Sequence, residues 1–579
     1  MPSLRSMWER LPRRDPANPI RKILVPLICL AAFLGNVSIL GHDFVWDDFD
    51  LIVRDPFIKT PGEFTLYFQP SHWRRYYPGD YRPLRSLTFA SLHLFWGINP
   101  FGYHLLNLVL HSLNAGLVYL FLSLFLGRVF PAAAGALFFA LYPLQSEAVA
   151  WAKNCSELTA AFFSLLTLVL FLKAGRRSHW ALALSFVSFL LALLAKPSAL
   201  VLPLFLPLIL RLRPWPPGER PPYRLTLPFW ILSGLYLLFA AVYLPRAGAV
   251  RPQRPVNPPA FNLGERLAAA RQTYASYLAL LFLPLSNAPE RPFPLPAAWA
   301  APEAIAGALG TFALFLIALR SLRARSPLSL FLLWPFLSLL PASNFFPLAS
   351  RPLAEQRLYF PAIGVCALIG LAGDRLRELF ARAGRATGRS AADCAFCFLF
   401  IFFAASTAIR DRDWRDEITL FEKAKKSAPT LRVRLNLANA YLRAGESVKA
   451  VNECVDLLRL DPALAEGHAA LSDGYARMGL LEKAGEELER ARALNPRHTG
   501  ILNNLGLLYI RTGREAEAEE IFRRILSLDG ENREAMNNLA ACLARRGRDR
   551  EAREMWERVL AIDPGDPIAK ANKAVISNQ

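Results

Sequence analysis

The chain has 579 residues, 53% of them hydrophobic, and a mean hydropathy of +0.24. These values exclude an ordinary soluble globular protein and indicate several membrane-spanning helices. The formal net charge of +20 would suit a nucleic-acid-binding protein, but residues 431–566 carry 21 Lys and Arg against 23 Asp and Glu. The positive excess therefore lies in the apolar part of the chain, where the positive-inside rule predicts basic cytoplasmic loops, and we expect no nucleic-acid partner.

Eleven apolar stretches have the length expected of a membrane helix. We expect the basic segment 1–21 before the first of them to be cytoplasmic. Two further apolar stretches, 84–97 and 268–285, fit the basic loops only as interfacial or re-entrant helices on the outer face. The odd number of crossings then places loop 42–83 and the C-terminal tail outside the cytoplasm. The predicted spans are 22–41, 102–126, 129–146, 155–173, 179–195, 197–211, 225–245, 301–320, 327–343, 357–373 and 391–409.

Loop 42–83 begins with a cluster of carboxylates, Asp47, Asp48 and Asp50. Charge gathered where a helix leaves the bilayer is costly and indicates a functional site. Either Asp47 or Asp48 could accept a proton from a hydroxyl group, and both are predicted catalytic residues. Asp48 and Asp50 also have the D-x-D spacing that many sugar transferases use for a divalent cation, Mg²⁺ or Mn²⁺. The simpler alternative is that these acids cap the next helix.

Further polar residues lie at predicted outer ends of spans. Arg82 ends the same loop and has a guanidinium group suited to phosphate oxygens. His104, Asn107 and His111 share one face of an apolar helix, which indicates either a cavity or hydrogen bonds between helices. The predicted donor-phosphate or substrate-binding residues are Arg82, His104, Asn107, Glu147, Lys196, Glu355 and Arg357.

The composition changes after Arg410, and a 34-residue repeat begins. Small residues recur at this spacing, and a proline lies near the end of three of the four units, with Gly530 in its place in the third. This period and pattern predict four tetratricopeptide repeats over 431–566, in a domain extending to 579, after a membrane domain at 22–410 and a connecting helix at 411–430. The recurring residues are Gly445, Gly479, Gly513 and Gly547, Ala450, Ala484, Ala518 and Ala552, and Pro462, Pro496 and Pro564.

These motifs, in this order, resemble the transmembrane and tetratricopeptide repeat-containing protein family. The resemblance rests on Val45 to Asp48, Tyr81 to Leu84, His104 to His111, Pro143 to Val149, Ser343 to Tyr359, and the repeats. It implies an all-α fold, with a polytopic helical bundle like that of the C-type glycosyltransferases followed by an α-solenoid. It also implies an inverting transferase that moves a sugar from a polyprenyl-phosphate donor to a protein hydroxyl, with the acidic role at Asp47 and Asp48. The chain departs from the family pattern at Tyr142, at Asn154 and Cys155, and at Gln356, which leaves the sugar open.

Two other interpretations remain. A polysaccharide ligase or polymerase would place its arginines in a late outer loop, as Arg251, Arg254, Arg266 and Arg271 are placed here. A non-catalytic scaffold would use only the repeats and would leave the outer charges scattered. For the transferase, we expect a bacterial inner membrane, with loop 42–83 and the repeats in the periplasm. The repeats would then bind the acceptor protein or a partner.

Overall fold

The computed structural model describes residues 19–55, 57–59, 61–70, 72–73, 80–174, 178–213, 219–243, 262–284, 288–291, 302–345, 351–382, 386–563 and 566–577. All regular elements in these ranges are helical, as predicted for the all-α class. The chain divides into two compact units, with the boundary between Leu420 and Phe421. Arg251 and Arg254 of the predicted late loop, Pro564, and most of the segment 1–21 lie outside the described residues.

Fifteen α-helices lie before the repeats in the described part of the chain. Each predicted span overlaps one or more of them. Proline residues begin several of these helices, where a missing N–H costs nothing. The helices are α1 Pro19–Gly35, α2 Pro83–Trp96, α3 Pro100–Leu126, α4 Val129–Ala140, α5 Ser146–Ala150, α6 Cys155–Ala174, α7 His179–Ala195, α8 Leu202–Leu212, α9 Leu227–Tyr243, α10 Leu263–Phe282, α11 Pro302–Arg323, α12 Leu328–Ser338, α13 Ala362–Arg382, α14 Ala386–Arg412 and α15 Glu417–Ser427.

Five helical stretches of the described chain are long and apolar enough to cross a membrane alone. A sixth crossing results if Val129–Ala140 and Pro143–Ala150, which meet at an angle of 47°, form one broken span. Four more apolar helices are shorter. The count of eleven spans therefore stays a prediction. The five are Pro100–Leu126, Ala152–Ala174, Tyr223–Tyr243, Ala304–Arg323 and Asp393–Arg412.

The segments after α1 and after α14 meet at one end of the helical bundle. The backbone N–H of Asp43 donates a hydrogen bond to the Arg415 carbonyl at 2.9 Å. Because these two points share an end, the chain crosses the bundle an even number of times between them, as eleven spans require. Helix α2 has 14 residues and is about 21 Å long, which is shorter than the roughly 30 Å hydrocarbon core.

Helices α4 and α13 pack against each other through glycine. A Cβ atom at Gly370 would lie 2.9 Å from the Gly135 amide nitrogen and would overlap the Pro131 carbonyl oxygen. Small residues at such crossings allow two membrane helices to approach closely. This close approach holds α4 in place, and α4 leads directly into the polar residues of the candidate site.

The second unit is a stack of helix pairs with the predicted repeat. The turn glycines Gly445, Gly479, Gly513 and Gly547 have φ between +73° and +80°, a conformation that requires glycine. The alanines at 450, 484, 518 and 552 are fully buried where paired helices cross. The pairs are α16 Leu431–Arg443 and α17 Ser447–Leu460, α18 Ala465–Arg477 and α19 Leu481–Leu494, α20 Thr499–Arg511 and α21 Glu515–Leu528, α22 Arg533–Arg545 and α23 Asp549–Ile562, followed by α24 Pro567–Ser577.

We predict that Gly370→Ala destabilises the membrane unit by about 1–3 kcal/mol, because an added methyl group must push α4 away from α13. The measurement is thermal unfolding of the purified protein in one detergent. Gly234→Ala is the matched control, because a Cβ at that position of α9 meets nothing within 4 Å. Equal melting temperatures for the two variants would contradict the described packing.

Candidate active site

The first acidic residues form a tight turn at one end of the bundle; residues 45–48 are called the acidic turn below. Asp48 is fully buried. One of its carboxylate oxygens accepts the Val45 N–H at 3.1 Å, and the other accepts the Lys153 N–H at 2.8 Å. Asp48 therefore joins the acidic turn to the polar stretch between α5 and α6.

The two adjacent acids have different environments. Burial raises the pKa of Asp48 to about 8, although the Val45 and Lys153 amides oppose this shift. The Asp47 side chain is 41% exposed and forms an ion pair with the Lys153 ammonium. That ammonium also lies 3.7 Å from the centre of the Trp151 ring. Of the two acids, only Asp47 is accessible to a substrate.

Trp46 of the acidic turn packs in a cluster with two further tryptophans. The rings of Trp46 and Trp151 stack at a centroid distance of 4.9 Å, and Trp414 lies 5.4 Å from Trp151. The Trp151 indole N–H donates to the Val45 carbonyl at 3.1 Å. Aromatic packing thus fixes the turn against the polar stretch between α5 and α6 and against the segment after α14.

Glu147, a predicted substrate-binding residue, is buried in an ion pair. Arg351 donates to both of its carboxylate oxygens, at 2.6 and 3.1 Å. Only 1% of the Glu147 side chain and 10% of the Arg351 side chain are exposed. The Arg351 guanidinium group also lies 5.0 Å from the Trp46 ring centre, so this ion pair contacts the acidic turn.

Arg82 belongs to a triad of charged residues, in which two arginines share one aspartate. Its Nε atom is 2.6 Å from Asp80, whose other oxygen is 2.8 Å from Arg85. Burial alone would raise the pKa of Asp80, but the two guanidinium groups outweigh it and hold this pKa at about 2. Asp80 therefore stays ionised, and the triad keeps one net positive charge.

The remaining predicted cations lie close to this triad. Lys196 pairs with Glu157 and interacts electrostatically with both Arg82 and Arg357. Arg357 donates to the Pro352 carbonyl at 2.8 Å. Glu355 is held between Arg291 and Arg410. The predicted charged residues thus lie at one end of the bundle and are not scattered.

The polar stripe of α3 serves mainly to hold helices together. Asn107 donates to the carbonyls of Val149 and Trp151 at 3.2 and 2.9 Å. His111 contacts the Tyr359 hydroxyl at 2.8 Å. His104 is fully buried beside His42, with ring centres 6.1 Å apart. Of the two readings of this stripe, the structure favours interhelical hydrogen bonding for Asn107 and His111.

The predicted cation ligands Asp48 and Asp50 do not form a shared site. Asp48 is enclosed, whereas the Asp50 side chain is 71% exposed and pairs with Arg54 at 3.0 Å. Within the described ranges, no group of three or more His, Cys, Asp and Glu side chains is placed to hold a metal ion. Asp48 and Asp50 therefore do not fit a shared divalent cation.

Comparison with known proteins agrees with this architecture. The tetratricopeptide repeat family matches residues 499–565. "Protein O-mannosyl-transferase F38B6.6" of Caenorhabditis elegans is 25% identical over 473 residues, which are 79% of this chain and 65% of that protein. "Protein O-mannosyl-transferase TMTC2" of Homo sapiens is 31% identical over 27% of this chain and 19% of its own length. The predicted family resemblance is confirmed.

The chain spans less than two thirds of the length of these relatives. Among solved structures, a thermophilic TPR protein of Thermus thermophilus is 25% identical and covers 31% of this chain and 94% of its own, with a TM-score of 0.26. The chain thus combines apolar helices that are long enough to cross a membrane with a tetratricopeptide repeat domain.

Sequence patterns missed the ionic partners of the predicted residues. Lys153 binds Asp47, Asp80 binds Arg82, and Arg351 binds Glu147. The sequence did show that further charged residues lie in the polar stretches around Glu147 and Arg357, and such residues are candidates for ionic partners. Which charges pair depends on the packing of helices far apart in sequence, and no local pattern contains that information.

We predict that Arg351→Met destabilises the membrane unit by about 3–5 kcal/mol, because it leaves the Glu147 carboxylate buried without a cation. Adding Glu147→Leu should restore part of that loss, because Arg351 also lies 3.8 Å from the buried Glu290 carboxylate. Arg54→Met, which breaks an exposed pair, is the control and should cost at most about 1 kcal/mol. Thermal unfolding in detergent measures all three, and a stable Arg351→Met single variant would contradict the description.

We predict that Asp48 makes the protein less stable as pH rises from about 4 to about 8. An unfolded Asp has a pKa of about 3.9, whereas burial raises the folded pKa to about 8. The folded state therefore binds the extra proton, and its advantage disappears as pH rises between these values. Asp48→Asn should lack this pH dependence, and because its amide nitrogen cannot accept the second backbone N–H it should also be less stable by a constant amount. The difference in melting temperature between wild type and Asp48→Asn should therefore change as pH rises from about 4 to about 8. Asp50→Asn should keep the wild-type pH dependence, and parallel curves for all three proteins would refute the prediction.

Proposed function

We propose that this protein is a membrane glycosyltransferase that moves a sugar from a polyprenyl-phosphate donor to a hydroxyl group of an acceptor protein. The observation that carries the proposal is the convergence of the acidic turn with Arg82, Lys196 and Arg357 at one end of the bundle. The names of the relatives, which are protein O-mannosyl-transferases, support the same reaction class.

In this proposal Asp47 is the general base. Its side chain is accessible, and Lys153 fixes its position. Asp48 is enclosed, and both of its oxygens are bound to backbone amides, so we assign it the role of shaping the turn. A base must reach the hydroxyl proton directly, and of the two acids only Asp47 can do so.

The leaving group is a phosphate, and its negative charge needs stabilisation in the transition state. The triad of Arg82, Asp80 and Arg85 has one net positive charge, and Lys196 and Arg357 lie within electrostatic range of each other. A phosphate would bind here by displacing carboxylate partners from these cations. Guanidinium groups suit this task because they bind two phosphate oxygens at once.

The proposed step forms one bond and breaks one. The acceptor oxygen attacks the anomeric carbon of the sugar while its proton passes to Asp47. The bond between that carbon and the phosphate oxygen breaks, and polyprenyl phosphate leaves with the electron pair. Attack from the side opposite the leaving group inverts the configuration at the anomeric carbon.

The repeats would bind the acceptor protein or a partner, since such solenoids bind peptides along their surface. The predicted topology places the site and the repeats on the outer side of the membrane, and we propose the periplasmic side of a bacterial inner membrane. An accessible tag at Trp46 that reacts from the cytoplasm would contradict this orientation.

We predict that Asp47→Asn lowers the transfer rate by roughly 10²–10⁴-fold, because the hydroxyl group loses its base, without lowering the melting temperature. The assay incubates the purified protein in liposomes with radiolabelled polyprenyl-phosphate sugars, mannose among them, and an acceptor protein. Transfer of label to protein is measured.

Asp393→Asn is the matched control. Its side chain is 45% exposed and pairs with Arg377 at the other end of α14, so activity should remain. Full activity in both Asp47→Asn and Asp48→Asn would remove the acidic turn from the reaction. Wild-type protein that binds a partner through its repeats but transfers none of the sugars would favour the scaffold interpretation.

A further inference from the structure

Trp46 has an unusual backbone conformation directly before the proposed base. Its φ is +55°, a left-handed value that large side chains rarely adopt because of steric strain. A residue persists in such a conformation only when its surroundings hold it there. The contacts of Trp46 therefore determine where the next residue, Asp47, points.

Two contacts with distant segments hold this residue. Its indole ring stacks on Trp151, with an angle of 14° between the rings. Its backbone N–H donates to the Glu417 carboxylate at 2.9 Å, across 371 positions of sequence. A hydrogen bond from an amide to a carboxylate is charge-assisted and stronger than a bond between neutral groups.

Glu417 lies in a short stretch that docks on the acidic turn; residues 410–417 are called the connecting segment below. Glu417 is 7% exposed. Trp414 packs against Trp151, and the Arg415 carbonyl accepts the Asp43 N–H. The connecting segment, which follows the last predicted span, thus contacts the acidic turn and the residues next to it.

Lys153 and Glu417 divide the task of fixing the turn. Lys153 binds the side chain of Asp47 and, through its amide, Asp48. Glu417 binds the backbone one residue earlier, at the strained position itself. Without Glu417, the Trp46 N–H would lose its anionic partner, and rotation of Trp46 to a relaxed negative φ would reorient Asp47 and expose Asp48.

We propose that Glu417 is a positioning residue, which keeps the acidic turn in its left-handed conformation and so directs Asp47 toward the acceptor hydroxyl. The catalytic part of this inference rests on the proposed function. The structural part, that Glu417 maintains the turn, does not.

The structural part is tested by labelling carboxylates in the full-length protein with a carbodiimide and glycine ethyl ester, followed by mass spectrometry. Asp48 should stay unlabelled in wild type because it is fully buried. It should also stay unlabelled in Glu417→Gln, which keeps an oxygen acceptor. In Glu417→Ala, labelling of Asp48 should rise to at least five times the background signal of wild type, while labelling of Asp393 stays constant.

Glu422→Ala is the matched control. Glu422 lies on the same helix, but its carboxylate accepts the Tyr441 hydroxyl at 2.8 Å, so Asp48 should remain protected. If Glu417→Ala fails to fold, Glu417→Asp, which withdraws the carboxylate by one methylene group, should give intermediate labelling. Wild-type protection of Asp48 in a folded Glu417→Ala or Glu417→Asp variant would overturn the proposal.

Transfer assays test the catalytic part. Glu417→Ala should lower kcat about 10- to 100-fold with little change in KM for the donor, and Glu417→Gln should recover to within about threefold of wild type. Unchanged kcat in Glu417→Ala would overturn this part. If wild type transfers no sugar, the proposed function fails, and the labelling result still decides whether Glu417 holds the turn.

Discussion

Asp48 uses both carboxylate oxygens to bind backbone amides, one in its own turn and one at Lys153. These two hydrogen bonds join the loop after α1 to the polar stretch before α6. The ionic and aromatic contacts of the acidic turn depend on this link, because it brings Asp47 to the Lys153 ammonium and Trp46 onto Trp151. An enclosed acid thus organises the turn, while its exposed neighbour remains available to a substrate.

The buried charges around this turn are compensated locally, in ion pairs and small clusters. Glu147 binds Arg351, Glu157 binds Lys196, and Glu355 lies between two arginines. Buried ion pairs of this kind contribute little net stability, since removing charges from water is costly. Each of them joins segments that are distant in the sequence. The triad around Arg82 keeps one net positive charge, which favours an anionic ligand.

Much of the fold follows from sequence patterns because the relevant information is local. The repeat glycines require positive φ at a fixed spacing, and the alanines at 450, 484, 518 and 552 are small because helices cross there. Asp47, Asp48 and Arg82 were also found from sequence, because charge in an apolar chain is conspicuous. Which partner each acid would take was not predictable. Lys153 is 106 residues from Asp47, and Arg351 is 204 residues from Glu147.

Roles also depended on packing. Glu147 and Asn107 have the residue types of a binding site, yet the structure commits them to Arg351 and to backbone carbonyls. The pairing of Asp48 and Asp50 failed as a cation site because the backbone after Asp48 begins a helical turn that directs Asp50 to the surface, where Arg54 binds it. Spacing in the sequence identified the acids but did not fix their directions.

The bond between Trp46 and Glu417 has a consequence for biogenesis. These residues are separated by 371 positions, and ribosomes add about 5–20 residues per second. The loop after α1 therefore waits roughly 20–75 s after its own synthesis before Glu417 has been made. Because translation proceeds from the N-terminus, the loop after α1 can complete its contacts only after the last predicted span has been synthesised.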